Sequence, residues 1–195
     1  MKKTSLFLLL ALMLQTGVLS AQNTWALKTN LLHGATLSVN LAGEYAFAPQ
    51  WSAELGASVN AWRSWGGSRI QHALLQPEIK YWTCERYTGW FISGNLLGGW
   101  ATLGNFWDFS KVTPRSPDLR NYLLKDALVL GIGVGGGYDF ILSRHWNLEV
   151  EGAIGYMYTR GDEYDDVTPP ELLLKGSEFD YIGPTKLAVS IVYLF

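Results

Sequence analysis

Beyond residue 22 the apolar positions recur at every second residue, the period of a strand with two unlike faces. The end of the chain shows it most clearly. Leu187, Val189, Ile191, Tyr193 and Phe195 make one face, and Lys186, Ala188 and Ser190 the other. Near the start, Trp25, Leu27, Thr29 and Leu31 stand against Ala26, Lys28 and Asn30. Ala53, Leu55, Ala57 and Val59 alternate with Ser52, Glu54, Gly56 and Ser58, and Leu75, Ile79 and Tyr81 with Gln76, Glu78 and Lys80. Leu128, Leu130, Ile132 and Val134 alternate with Gly131, Gly133, Gly135, Gly137 and Asp139. Trp146, Leu148, Val150, Ile154 and Tyr156 alternate with Asn147, Glu149, Glu151 and Ala153. Two weaker segments, rich in Ala and Gly, lie at about 40–47 and 90–102. Eight segments, each near the ~10 residues a tilted membrane strand needs, predict an all-β, eight-stranded antiparallel up-and-down transmembrane β-barrel. Closure removes free sheet edges, and an even strand count returns both termini to one side.

The connections alternate in length. Ala48-Pro49-Gln50, Thr83–Thr88 and Ser143-Arg144-His145 are short; His33–Val39, Arg63–Arg69, Leu103–Asp126 and Arg160–Tyr181 are read as the longer loops. Short periplasmic turns opposite long extracellular loops are the outer-membrane pattern, which places both termini in the periplasm. Alternation by itself also fits a water-soluble barrel with its apolar face inside. Three features favour the inverted arrangement. Aromatics mark the short-turn ends (Trp25, Phe47, Trp51, Tyr81, Trp90, Phe140, Trp146, Phe195) and the long-loop ends (Trp62, Trp65, Trp100, Tyr156, Tyr158), as headgroup-level girdles do. Ile191, Tyr193 and Phe195 have the spacing of the C-terminal strand signal read by the barrel assembly machinery. The polar face carries small residues and matched charges, which suit a narrow eight-strand interior.

The first 21 residues stand apart. Lys2 and Lys3 precede an apolar run from Leu6 to Leu14, and Leu19-Ser20-Ala21 ends it with small residues. That is the layout of a cleaved signal peptide, residues 1–21, followed by one barrel domain, residues 22–195. Charged residues are only 16% and the formal charge is −2, so nucleic acid has no basic surface to meet. Cys84 is the single cysteine, which excludes a disulfide scaffold, and it is expected to pack within its turn.

Strand parity turns nine charged side chains inward: Lys28, Glu44, Glu54, Glu78, Lys80, Asp139, Glu149, Glu151 and Lys186. Buried charges are costly unless paired, so these predict a network that fills the lumen. Adjacency around the barrel predicts that Lys186 meets Glu149 or Glu151 and that Lys28 reaches Glu44 or the same acids. The glycines at alternate positions from Gly131 to Gly137 leave interior room and lack the helix a phosphate cradle requires. His33, His72 and His145 have no Ser or Glu beside them in a lipid-enzyme pattern, and read as structural or solvated. No catalytic, cofactor-binding or metal-ligating set is expected. Asp162, Glu163, Asp165, Asp166, Glu171, Glu178 and Asp180 make an acidic fourth loop whose spacing fits no calcium loop, and which reads as a solvated face sharing divalent ions with lipopolysaccharide. Trp51-Ser52-Ala53-Glu54-Leu55 is echoed by Trp146-Asn147-Leu148-Glu149-Val150, each after a tight turn, which suggests a barrel built of similar hairpins.

Four stretches carry a family resemblance: Ala26-Leu27-Lys28-Thr29-Asn30-Leu31-Leu32, Gln76-Pro77-Glu78-Ile79-Lys80-Tyr81-Trp82 running into Cys84-Glu85-Arg86, Trp146-Asn147-Leu148-Glu149, and Gly183-Pro184-Thr185-Lys186. They resemble the domain of unknown function 3575 family of small Gram-negative outer-membrane barrels. The resemblance implies an eight-strand barrel, carries over no catalytic residues, and hints at fimbrial or surface-assembly proteins as partners. The expectation is a non-enzymatic outer-membrane barrel with a charge-filled lumen and functional extracellular loops, in contact with outer-membrane lipid and lipopolysaccharide and serving surface assembly or envelope stability. The alternatives are a lipid-modifying enzyme and a narrow channel for small hydrophobic molecules.

Overall fold

The computed structural model describes residues 23–62, 69–104, 122–165 and 172–195. Residues 1–21, read as a signal peptide, and Trp65, Asp166 and Glu171 lie outside the described residues. Eight strands run β1 Trp25–Asn30, β2 Val39–Ala48, β3 Trp51–Asn60, β4 Arg69–Trp82, β5 Gly89–Gly104, β6 Tyr122–Ile141, β7 Trp146–Asp165 and β8 Leu172–Leu194. Each pairs antiparallel with its chain neighbour, and β8 pairs with β1 to close the barrel. Closure is made by Ala26–Asn30 against Ser190–Leu194 and fixed at the short-turn end, where Phe195 N donates to Trp25 O at 3.0 Å. Asn23 and Phe195 therefore lie at one end.

The connection read as 160–181 is largely strand, and the described ends of the one read as 103–126 are strand as well. Residues 122–126 belong to β6, 160–165 to β7, and 172–181 to β8. Periodicity misses these extensions because they leave the apolar belt, so their two faces no longer differ in polarity. Asp162 accepts from Gly176 N at 2.8 Å, Ser177 Oγ donates to Glu163 at 3.3 Å, and Arg160 pairs with Glu178 at 3.8 Å. Of the seven acids assigned to the fourth loop, Asp162, Glu163, Asp165, Glu178 and Asp180 thus stand on strands. The first connection is no open loop either. Residues 31–36 form a 3-10 helix capped by Asn30, whose side chain accepts from Leu32 N at 3.0 Å. Cys84 is exposed rather than packed.

Alternation places the apolar face outside. Leu27, Leu41, Leu55, Leu75, Ile92, Ile132, Ile154 and Leu187 are exposed, while their chain neighbours Lys28, Glu54 and Ser93 are buried. The parity of β8 is reset by a bulge. Ala153 faces Lys186 but Ile154 faces Pro184, so Thr185 is the extra residue, and Lys186 keeps its place inside. Glycines open space for larger neighbours. A Cβ on Gly137 would sit 2.6 Å from the Phe91 ring, and one on Gly133 2.5 Å from Thr185 Oγ1.

One ring contact repeats around the short-turn end. Trp25 opposes Tyr45, Trp51 opposes Tyr81, Trp90 opposes Tyr138 and Trp146 opposes Tyr193 as direct register partners. Their ring centroids are 4.6, 5.0, 5.0 and 4.9 Å apart. Each odd strand carries its Trp at the first or second residue, and the next strand brings the Tyr back beside it. Aromatic pairs at this spacing add about 0.5–1.5 kcal/mol beyond area burial.

Candidate functional site

The interior is filled in three tiers. At the short-turn end Trp82, Tyr87, Phe91, Val192 and Leu194 form a buried apolar plug with Ala26 and Ala46. Tyr87 reaches it from the β4–β5 turn with a left-handed backbone (φ 59°), and its hydroxyl donates to Thr24 O at 3.1 Å. Burial, and then the nearby Glu44 charge, push the Tyr87 phenol well above its ordinary range.

The middle tier holds the nine inward charges. Lys28 Nζ pairs with Glu44, with Glu149 at 2.6 Å and with Glu54 at 3.2 Å. Lys80, fully buried, lies 2.8 Å from Glu149, 3.1 Å from Glu54, 3.3 Å from Glu78 and 3.5 Å from Glu151. Its ammonium also sits 4.5 Å from the centroid of the Phe91 ring, where the plug begins. Lys186 meets Glu78 at 2.7 Å, Glu151 at 2.8 Å and Glu54 at 3.5 Å. The lysines are therefore bridged by shared acids, with Glu54 touching all three. Asp139 is also buried and faces Glu149 across the β6–β7 ladder, but neither of its oxygens has a hydrogen-bond partner among the described residues.

Several neutral residues complete the tier without being singled out by their sequence. Ser52 donates to Glu44 and accepts from Trp82 Nε1 at 2.9 Å. Ser93 donates to Glu151 at 2.7 Å, and Asn147 Nδ2 donates to Tyr87 O at 2.9 Å. Inward parity on β3, β5 and β7 was the available signal for them; charge drew attention elsewhere. Such hydrogen bonds matter because a charge pair in a dry interior recovers its desolvation cost only when the remaining lone pairs are also satisfied.

Above the charges lies a cavity of about 180 Å³, floored by Lys28, Glu54 and Lys186 and lined both by Asn30, Asn40, Gln76 and His33 and by apolar side chains such as Leu74 and Leu97. At the other extreme Ile191 and Tyr193 lie on the outer face, and Tyr193 packs its ring between Trp146 at 4.9 Å and Phe195 at 5.0 Å.

A closed antiparallel eight-strand ring, apolar outside and charged within, defines an up-and-down β-barrel of inverted polarity. The chain belongs to the family described as protein of unknown function (DUF3575), whose profile matches residues 5–195. It is similar to the NMR solution structure of the E. coli outer membrane protein W, with 12% identity and a TM-score of 0.43, over 91% of this chain and 100% of that one. No curated protein matches it.

Proposed function

We propose that this chain is a non-enzymatic outer-membrane β-barrel, exported by residues 1–21, with its short-turn end in the periplasm and its long-loop end outside. The inversion of polarity carries this reading: a barrel in water would not turn its leucines out and its lysines in. The height of the belt supports it. From Trp146 to Tyr156 the outward residues of β7 span ten steps. At ~3.4 Å per step and a tilt of ~40°, that is about 26 Å, close to the ~25 Å apolar band of such barrels. The Trp–Tyr pairs then lie at the headgroup level, where amphipathic rings settle.

Packing of charge and aromatic side chains through the lower two tiers favours a closed lumen over a channel. Function is then assigned to the elongated β6–β7–β8 extensions and their connections outside, in surface assembly or envelope stability beside lipopolysaccharide. Ile191, Tyr193 and Phe195 serve as the signal for the barrel assembly machinery.

Cells expressing the chain are fractionated, and heat-modifiable migration is followed. The parent protein is expected in the outer membrane as a heat-modifiable band, and removal of Tyr193–Phe195 leaves it unassembled. Parent protein confined to the soluble fraction refutes the reading. Purified barrel is expected to leave the acyl chains of lipid A unchanged by mass spectrometry and to give no conductance in planar bilayers; altered acylation would favour the enzyme, and steady conductance the channel.

A further inference from the structure

Two histidines from distant parts of the chain meet at the long-loop end of the interior. His33 lies in the 3-10 helix and His72 on β4, with ring centroids 6.4 Å apart and ring planes at 89°. His33 Nδ1 and His72 Nε2 are both buried, and neither has a hydrogen-bond partner among the described residues. A buried polar group left unsatisfied is costly, so two on neighbouring rings call for a ligand.

The fold holds the pair in place. Asn30 caps the helix at its start. Leu37 ends it in a left-handed conformation (φ 55°), with Ser38 N donating to His33 O at 2.9 Å. Asn60, the register partner of His72 on β3, donates to Thr36 O at 2.7 Å and to Ser38 Oγ at 3.2 Å. The same side chain that neighbours His72 therefore ties down the segment that carries His33.

We infer that His33 and His72 form a two-imidazole site for a Cu²⁺ ion, with water filling the remaining positions. A metal–nitrogen bond of about 2.0 Å, in line with the ring, puts the ion about 3.2 Å from each centroid. Two imidazoles in trans then have centroids about 6.4 Å apart, whereas a tetrahedral pair has them about 5.2 Å apart. The observed 6.4 Å leaves room for an ion between the rings. Tetragonal Cu²⁺ accommodates two imidazoles in trans, and imidazole sites rank Cu²⁺ above Zn²⁺. Among the described residues no cluster of three or more His, Cys, Asp or Glu side chains is placed to hold a metal. Two protein ligands leave open positions toward the cavity that His33 lines, which suits an exchangeable ion better than a structural one.

The test uses the mature chain, untagged and refolded in detergent, titrated with Cu²⁺. Expected are one ion per chain, an axial electron paramagnetic resonance spectrum split by two nitrogens, and Zn²⁺ binding at least tenfold weaker. His33→Gln and His72→Gln should each weaken Cu²⁺ binding at least tenfold and leave one-nitrogen splitting, while His145→Gln changes neither. Heat-modifiable migration verifies that each variant is folded. In the parent protein, Cu²⁺ should protect His33 and His72, and not His145, from diethyl pyrocarbonate. Parent-like Cu²⁺ binding in the double variant, Zn²⁺ binding as tight as Cu²⁺, or equal modification of all three histidines with and without Cu²⁺ overturns the proposal.

Discussion

Lys80→Met tests whether the lumen is a dry, mutually dependent charge cluster or a wet one. Methionine keeps most of the length and removes the charge. Lys80 lies 2.8 Å from Glu149 and 3.1 Å from Glu54, with no exposed surface. At an effective dielectric of ~20, the Glu149 pair alone has a Coulomb energy of about 6 kcal/mol, most of it offset by the cost of burying the charges. Removing one member of a buried pair costs about 3–5 kcal/mol, because the partner remains buried. Here the acids are not wholly orphaned: Glu149 keeps Lys28 at 2.6 Å and Glu151 keeps Lys186 at 2.8 Å. The expected loss is therefore at the lower end, about 3 kcal/mol. Adding Glu149→Gln should recover at least about 1 kcal/mol, the coupling expected of groups in one network. Reversible urea unfolding of the barrel in lipid vesicles, followed by tryptophan fluorescence, measures both. A single variant within about 0.5 kcal/mol of the parent, the range of an ordinary surface change, refutes the dry-cluster reasoning.

Ile132→Arg, on an outward position 58% exposed, should cost about 2–4 kcal/mol in the same vesicle assay if it faces the bilayer midplane; no loss would place that face in water. Gly137→Val should prevent refolding to a heat-modifiable band, since even a Cβ there lies 2.3 Å from Val150 O and 2.6 Å from the Phe91 ring. Tyr87→Phe should reduce alkaline sensitivity. The phenol is held protonated in the fold and ionises near 10.0 once unfolded, so the parent loses stability as the pH rises above about 10, and the variant, having no phenol there, loses less. Equal slopes of stability against pH for the two proteins would count against a buried Tyr87 hydroxyl.

The strand order and facing were legible because a lipid-like exterior and a polar interior force a period of two on every strand that crosses the belt. The same logic located Lys28, Glu44, Glu54, Glu78, Lys80, Asp139, Glu149, Glu151 and Lys186 on one face. It did not fix axial height. That is why Lys186 was assigned to Glu149 or Glu151 but not to Glu78, which lies on the opposite wall at 2.7 Å. Nor did it reveal the long extensions of β6, β7 and β8, where both faces leave the belt and polarity stops alternating. The helix at residues 31–36 was hidden for another reason. Its form rests on the Asn30 cap and on Asn60, which lies 24 residues from the Thr36 carbonyl it binds.

The four Trp–Tyr pairs have a consequence for how such a chain can change. Each pair of strands joined at the long-loop end is also fastened at its open end by its own rings, so each hairpin is a loop closed twice, once covalently and once by ring contact. Slippage of one strand by a single residue would break the ring contact and turn a charged side chain outward. Register is therefore set inside every hairpin, independently of what joins the strands at the far end. That end already tolerates great variety, from a six-residue connection between β7 and β8, through an eight-residue one with a helix between β1 and β2, to a seventeen-residue one between β5 and β6. The barrel behaves as a chassis with four exchangeable inserts. Foreign segments spliced between β5 and β6 should be accepted without disturbing the wall, which makes the long-loop end of this protein the natural place for sequence novelty to accumulate.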